Sequence, residues 1–323
     1  MKIGVIGCGA VFEAFYLDVL REQQAEGLID LVLLVDSQAR NIAAVRRYFP
    51  RATTAYDLGT GLANTHLDRA IVLTPPATHA PIMQLLAKAG VHVYCEKPLT
   101  VSPIEARLIA ESFSSRELIC RVGYVRRFFP NFQALRSLCS NLGPKRNLSV
   151  SDGEVFRWPI KTGAIFAPAE AGSGVVWDKL SHNLDMVQWI DGLRSIERVR
   201  TGCKPGRVPA DVLVEGTTDH GEFRIAVSWT NGLANLVSAT DGIETIESKN
   251  GLAQSLRVSS AAWSSPSIEA GITSYGEAVR VALGEFLRLK NFKEESILAT
   301  AEQSVVLTDL LASVDQAARA GAL

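Results

Sequence analysis

The chain has 323 residues, 47% of them hydrophobic and 21% charged, with a formal net charge of −1. That length exceeds one ordinary core and points to two domains, and the near-neutral balance gives no electrostatic reason to expect nucleic acid or a membrane surface as a partner. Cys8, Cys95, Cys120, Cys139 and Cys203 stand far apart with no C-x-x-C pair, which argues against a zinc site or a disulfide framework and suits a reducing cytoplasm.

A strand-like run, Lys2–Ile6, opens the sequence with no signal or transit peptide expected ahead of it, and it breaks at Gly7-Cys8-Gly9. Apolar residues then recur at helical spacing from Val11 to about Glu26. Leu31–Val35 is the longest apolar run; it is far too short for a bilayer and reads as a strand buried on both faces, ending in Asp36. A helix follows over Ile42–Tyr48, then a buried strand over Asp68–Thr74, stopped by Pro75-Pro76. Ala77–Ala89 reads as a helix stopped by Gly90, Val91–Cys95 as a strand and Pro103–Ser114 as a helix. Strands alternating with helices imply a doubly wound parallel sheet.

Beyond about Arg121 the texture changes. Asn131–Asn141 reads as a helix, and Leu148–Phe156, Ile196–Arg200, Val212–Thr217, Glu222–Trp229 and Leu233–Ala239 as strands. One strong helical segment, Val175–Ile190, sits among them, and Tyr275–Leu289 and Ser296–Ala320 are helical again. The expectation is an α/β chain: a Rossmann domain over residues 1–120, then an α+β substrate and oligomerisation domain over 121–323 with a large, mostly antiparallel open sheet. The C-terminal helices are free to pack back on the first domain.

Gly7 and Gly9, between a strand and a helix, are placed to form a phosphate loop: the first permits a tight turn, and the second lets backbone N–H groups approach a pyrophosphate. Ala10, Val11 and Phe12 complete the loop and open the helix, with Phe12 standing where the fingerprint has glycine or alanine. Asp36 can accept hydrogen bonds from the adenosine ribose hydroxyls and repel a 2′-phosphate, which favours NAD over NADP. Ser37 and Arg40 leave NADP open, and helix N-capping is the plainer reading of Asp36.

Thr74-Pro75-Pro76 with His79, then Glu96-Lys97-Pro98 after the next strand, complete a specific combination. Together with the glycine loop, Gly123-Tyr124-Val125-Arg126-Arg127-Phe128 and Gly174-x-x-x-Asp178-x-x-x-His182-x-x-Asp185, it resembles the Gfo/Idh/MocA family of oxidoreductases over nearly the whole chain. Leu180, where many members carry glycine, is a second departure beside Phe12. The resemblance implies an NAD(P)-dependent enzyme that moves a hydride to or from a hydroxyl or ketone of a sugar, cyclitol or related polyol. Lys97, Asp178 and His182 would form the catalytic group, Thr74, Pro75, His79, Glu96 and Lys97 would line the cofactor, and the assembly would be a homodimer or homotetramer.

The chemistry can be argued independently. Lys97 falls just past a parallel strand, at the edge where α/β folds bind ligands, and Pro98 would fix its turn, in the family through a cis bond. Asp178, His182 and Asp185, at i, i+4 and i+7, share a helix face, so a carboxylate can orient a histidine able to exchange protons near neutral pH. The residues do not decide whether Lys97 or His182 takes the proton. A plainer reading makes His182 a core histidine, and Asp185 is read as structural. Tyr124, Arg126, Arg127, Trp158 and Lys161 near the domain junction suit a polyhydroxylated ring, including one with a carboxylate or phosphate, although each is as readily an ordinary surface or core residue. No metal is expected. The rivals are a non-catalytic NAD(P)-binding sensor on the same fold and a lyase or glycosidase that uses the cofactor transiently.

Overall fold

The computed structural model describes residues 1–156, 164–166, 172–230, 232–260, 265, 268 and 271–321. It divides into two compact units. The first holds Met1–Gly123 and Val279–Thr308, and the described residues of the second lie within 124–278 and 309–321.

The first unit is built on β1 (Lys2–Ile6), β2 (Asp30–Val35), β3 (Thr53–Ala55), β4 (Arg69–Val72), β5 (His92–Cys95) and β6 (Cys120–Val122). They lie side by side in the order β3-β2-β1-β4-β5-β6, all parallel, and a two-residue strand, Ala299–Thr300, adds antiparallel to the β6 edge. The central strands are apolar because helices α1 (Leu17–Ala25), α2 (Ala39–Arg46), α3 (Leu58–Asn64), α4 (His79–Lys88) and α5 (Pro103–Ser114) alternate with them. Ile3, Val5, Leu33, Leu34, Ile71, Val93 and Tyr94 are sealed from solvent. The sequence did not signal β3, α3 or β6. α3 carries two glycines, which disfavour a helix, and Asp57 offsets this by capping its first turn through the Thr60 N–H at 2.8 Å.

In the second unit come α6 (Pro130–Cys139), β7 (Asn147–Gly153), α7 (Ser181–Asp191), β8 (Leu193–Arg200), β9 (Asp211–Thr218), β10 (Glu222–Ser228), β11 (Leu236–Thr240), β12 (Thr245–Lys249) and β13 (Arg257–Ser259). The seven-stranded sheet runs β13-β12-β11-β7-β10-β9-β8, antiparallel everywhere except between β7 and β10. β9 alternates buried and half-exposed residues, as a sheet covered on one face requires. α7 packs on β8, β9 and β10, and α6 packs on β12. Helices α8 (Tyr275–Arg288) and α9 (Ala301–Arg319) close the chain. Arg69, buried on β4, donates to the Phe286 and Leu289 carbonyls at the C-terminal end of α8. No helix among the described residues is long and apolar enough to cross a membrane.

Arg127, expected to face substrate, is 3% exposed and grips Asp185 in a two-pronged ion pair, Nε at 2.9 Å and Nη2 at 2.6 Å. Burial pushes the Asp185 carboxyl up while the Arg127 charge pulls it down. Arg136 stacks on Trp189 at 4.6 Å beside the pair. Breaking a buried pair strands one charge, so Arg127→Ala should lose about 3–5 kcal/mol in denaturant unfolding, and Arg127→Met with Asp185→Leu should recover most of it. A loss below about 1 kcal/mol for the single variant would contradict this assignment.

Candidate active site

The strand order of the first unit reverses at β1 and β4, so the carboxyl ends of β1, β2, β4 and β5 border the crevice where open α/β sheets bind ligands. Gly7 sits there at φ +100°, and a Cβ on it would stand 2.8 Å from the backbone of Leu73 and Thr74. The fold itself therefore demands glycine at this position. Gly9 differs: a Cβ there would meet nothing within 4 Å. The space over Gly9 is open.

Asp36 holds the loop in place. Its carboxylate accepts from the Cys8 N–H at 2.8 Å, the Gln38 N–H at 2.8 Å and the Asn41 side-chain amide at 3.1 Å on both oxygens. It is half-buried. Ala10 and Val11 are half-buried beside it, and Pro75 is exposed beyond β4. The Thr74 hydroxyl is buried without a hydrogen-bond partner among the described residues, a vacant donor at the same edge.

Phe12 opens the helix after the loop. Its side chain is fully buried against Phe49, with ring centroids 6.5 Å apart, so only its backbone is left to face a cofactor. The helix makes room by starting with a wide π-type turn, Phe12–Tyr16, in which the Leu17 N–H bonds to the Phe12 carbonyl five residues back. The same turn buries Tyr16, whose hydroxyl donates to Glu96.

Glu96 and Lys97 follow β5. Burial pushes the Glu96 carboxyl up, opposed by the Tyr16 hydroxyl and the Lys97 charge. Its second oxygen accepts the Lys97 N–H at 3.0 Å, and the Lys97–Pro98 bond is cis. Gly123 lets the chain pass over this group; a Cβ there would lie 2.8 Å from the Tyr94 hydroxyl. The Lys97 side chain is half-buried. His79, expected on the cofactor side, is instead wholly buried and spent on backbone. Its Nδ1 lies 3.0 Å from the Pro98 carbonyl and its Nε2 lies 2.7 Å from that of Thr74, so it ties the two turns together.

In the second unit Gly174, at φ +97°, turns the chain into a second π-type turn, Val176–Leu180, which runs on into α7. Asp178 stands in the wide turn, half-buried, and accepts the Trp229 indole N–H at 3.0 Å. His182 follows in α7, 5% exposed, with the Tyr124 ring edge-on at 6.3 Å. Tyr124, a proposed substrate contact, is itself buried. Trp158 and Lys161 lie outside the described residues. Two groups escaped the sequence reading. Phe156 and Phe166 pack edge-on against Trp229, at 5.0 and 5.6 Å. Asp152, at the end of β7, pairs with Arg126 at 3.0 Å and Lys179 at 2.5 Å. Neither group has a local signature, because its members come from separate strands, turns and helices.

The model of the oxidoreductase family with an NAD-binding Rossmann fold, GFO_IDH_MocA, matches residues 1–124. Residues 1–124 thus carry the signature of the Gfo/Idh/MocA family. It is similar to a UDP-N-acetylglucosamine 3-dehydrogenase of Acidithiobacillus ferrooxidans, 27% identical over 74% of this chain and 67% of that one. A myo-inositol dehydrogenase of Streptomyces leeuwenhoekii is 25% identical over 63% of this chain, and the match spans 59% of that relative's length. The fold resembles that of levoglucosan dehydrogenase in complex with NADH, with a TM-score of 0.81 at 16% identity over 99% of this chain and 97% of that one.

The two glycines of this Gfo/Idh/MocA loop should respond differently. Gly7→Ala should lower the melting temperature, whereas Gly9→Ala should leave it unchanged and weaken NADH binding, read by protein-to-nicotinamide fluorescence transfer. Equal effects on both readouts would refute the distinction. A pH effect follows from Asp152, whose carboxyl Arg126 and Lys179 hold at about 2 against the cost of burial. A depressed carboxylate stabilises the fold fully above its unfolded value and loses that as pH falls through the folded one. Unfolding free energy should therefore drop by about 2 kcal/mol between about pH 4 and pH 2 on this account, and Asp152→Asn should flatten that limb.

Proposed function

We propose that the chain is an NAD-dependent dehydrogenase or reductase acting on a CH–OH group, or the matching ketone, of a sugar, cyclitol or related polyol. The observation that carries this reading is the crevice edge of the first unit, where Gly9 faces open space beside a fixed Asp36 carboxylate. The names of the relatives, dehydrogenases of inositol, UDP-N-acetylglucosamine and levoglucosan, supply the substrate class. Gly7, Gly9 and Asp36 would hold the dinucleotide, with the Asp36 charge favouring NAD over NADP. When bound, the nicotinamide supplies hydride exchange.

The chain's own residues do the rest. His182 and Lys97 are the groups that move or hold the hydroxyl proton. Asp178, which accepts the Trp229 indole N–H, is the carboxylate that orients the hydroxyl. In this reading the first unit serves the cofactor and the second the substrate. All five cysteines are free, four of them buried, which supports a reducing, cytoplasmic setting. A homodimer or homotetramer formed through the second unit's open sheet completes the proposal, and sedimentation tests it.

The deciding experiment is a panel of sugars and cyclitols with NAD⁺ and NADP⁺, followed by nicotinamide absorbance. Lys97→Met and His182→Asn should each lower turnover by about 10²–10⁴-fold while leaving dinucleotide affinity intact. Full turnover in Lys97→Met would defeat the mechanism, and failure to bind either dinucleotide would defeat the function. Asp36→Ser should shift preference toward NADP, and an unchanged ratio would remove Asp36 from the cofactor site.

A further inference from the structure

We propose that Arg126 and Lys179 form a subsite for an anionic substituent, a carboxylate or a phosphate, on the molecule the enzyme turns over. The inference rests on the dehydrogenase reading for what carries that anion. Both cations belong to the second unit. Lys179 directly follows Asp178 and lies three residues before His182 on the same helical stretch. Both reach Asp152, which is 3% exposed.

The charges do not balance. Among the described residues Asp152 is the single carboxylate within ion-pair distance of either cation, which leaves a formal excess of one positive charge. The two side chains are only 17% and 12% exposed, and uncompensated charge in such surroundings is costly. A structural ion pair would need one cation. A second favours a further anion.

The hydrogen bonds give that anion a place. Among the described residues, every side-chain hydrogen bond of Arg126 is made by Nη1: to Asp152 at 3.0 Å, Asn250 Oδ1 at 3.2 Å and Asn183 Oδ1 at 3.4 Å. The edge formed by Nε and Nη2 has no acceptor among the described residues. Asn183 and Asn250 are themselves fixed, through Asp152 at 3.1 Å and the Ser151 carbonyl at 3.0 Å, so the guanidinium is held in one orientation. Two parallel N–H donors on a fixed plane match a carboxylate or phosphate edge, and the Lys179 ammonium has donors beyond the one it gives Asp152.

The test is calorimetric titration of the wild-type chain, with and without NADH, using glucose, galactose, glucuronate, galacturonate and the two hexose 6-phosphates. At least one anionic sugar should bind about tenfold to a hundredfold more tightly than its neutral counterpart, and added salt should reduce the difference. The uronate and phosphate arms separate the two anions. Arg126→Gln and Lys179→Gln should each bring the anionic sugar to the neutral level, and Arg126→Lys should recover part of the preference, with melting temperatures confirming that the variants fold. Equal binding of neutral and anionic sugars, no binding of any anionic probe, or a preference that survives both glutamine variants would overturn the subsite. Loss of dinucleotide binding in the parallel titration would instead defeat the dehydrogenase reading, and the cofactor-free titration would still decide the subsite.

Discussion

One carboxylate organises the ligand-facing edge of the first unit. Asp36 at the end of β2 accepts the Cys8 N–H from the phosphate loop and the Gln38 N–H and Asn41 amide from the start of α2. Strands β1 and β2 are joined by their ladder, which the Gly7 N–H extends by one bond to the Val35 carbonyl at 2.8 Å. The side chain takes over at that point. Gly7 completes the arrangement from the other side, because only a residue without Cβ can pass the backbone of Leu73 and Thr74. Loop, second strand and fourth strand thus meet at one corner, and any ligand bound there inherits that geometry.

The fold was legible wherever burial wrote a continuous pattern. β1, β2, β4 and β5 are short apolar runs because helices cover both faces of their sheet, and α5 carries its Ser102 cap and Pro103 in plain sight. Elements that depend on partners were hidden. β3 is Thr-Thr-Ala, three residues whose strand character comes from pairing with β2. β12 has one apolar residue, Ile246, and β13 has Val258, so neither displays an alternation long enough to notice.

The candidate site divides in the same way. Gly7, Asp36, Lys97, Asp178 and His182 stand out because turns and helix spacing leave local marks. The Arg127–Asp185 pair spans 58 residues and the Trp229–Asp178 hydrogen bond spans 51, so no window of sequence contains either. Arg126 and Arg127 illustrate the limit well. Adjacent and chemically identical, they part on folding: one is sealed against Asp185, and the other reaches Asp152 from a less buried position. Only three-dimensional neighbours separate them.

The wide turn Phe12–Tyr16 has a consequence for how this chain can change. Each residue of a helix advances the side chains by about 100°, so the register of this turn decides which residue meets Glu96. Deleting one residue to restore a regular glycine-rich start would swing Tyr16 away from that carboxyl and bring a different neighbour onto it. Replacing Phe12 by glycine would leave a hole beside Phe49 while keeping the extra residue in place. The bulky residue fills the space beside Phe49, and the wide turn sets the register that rests the phenol on Glu96.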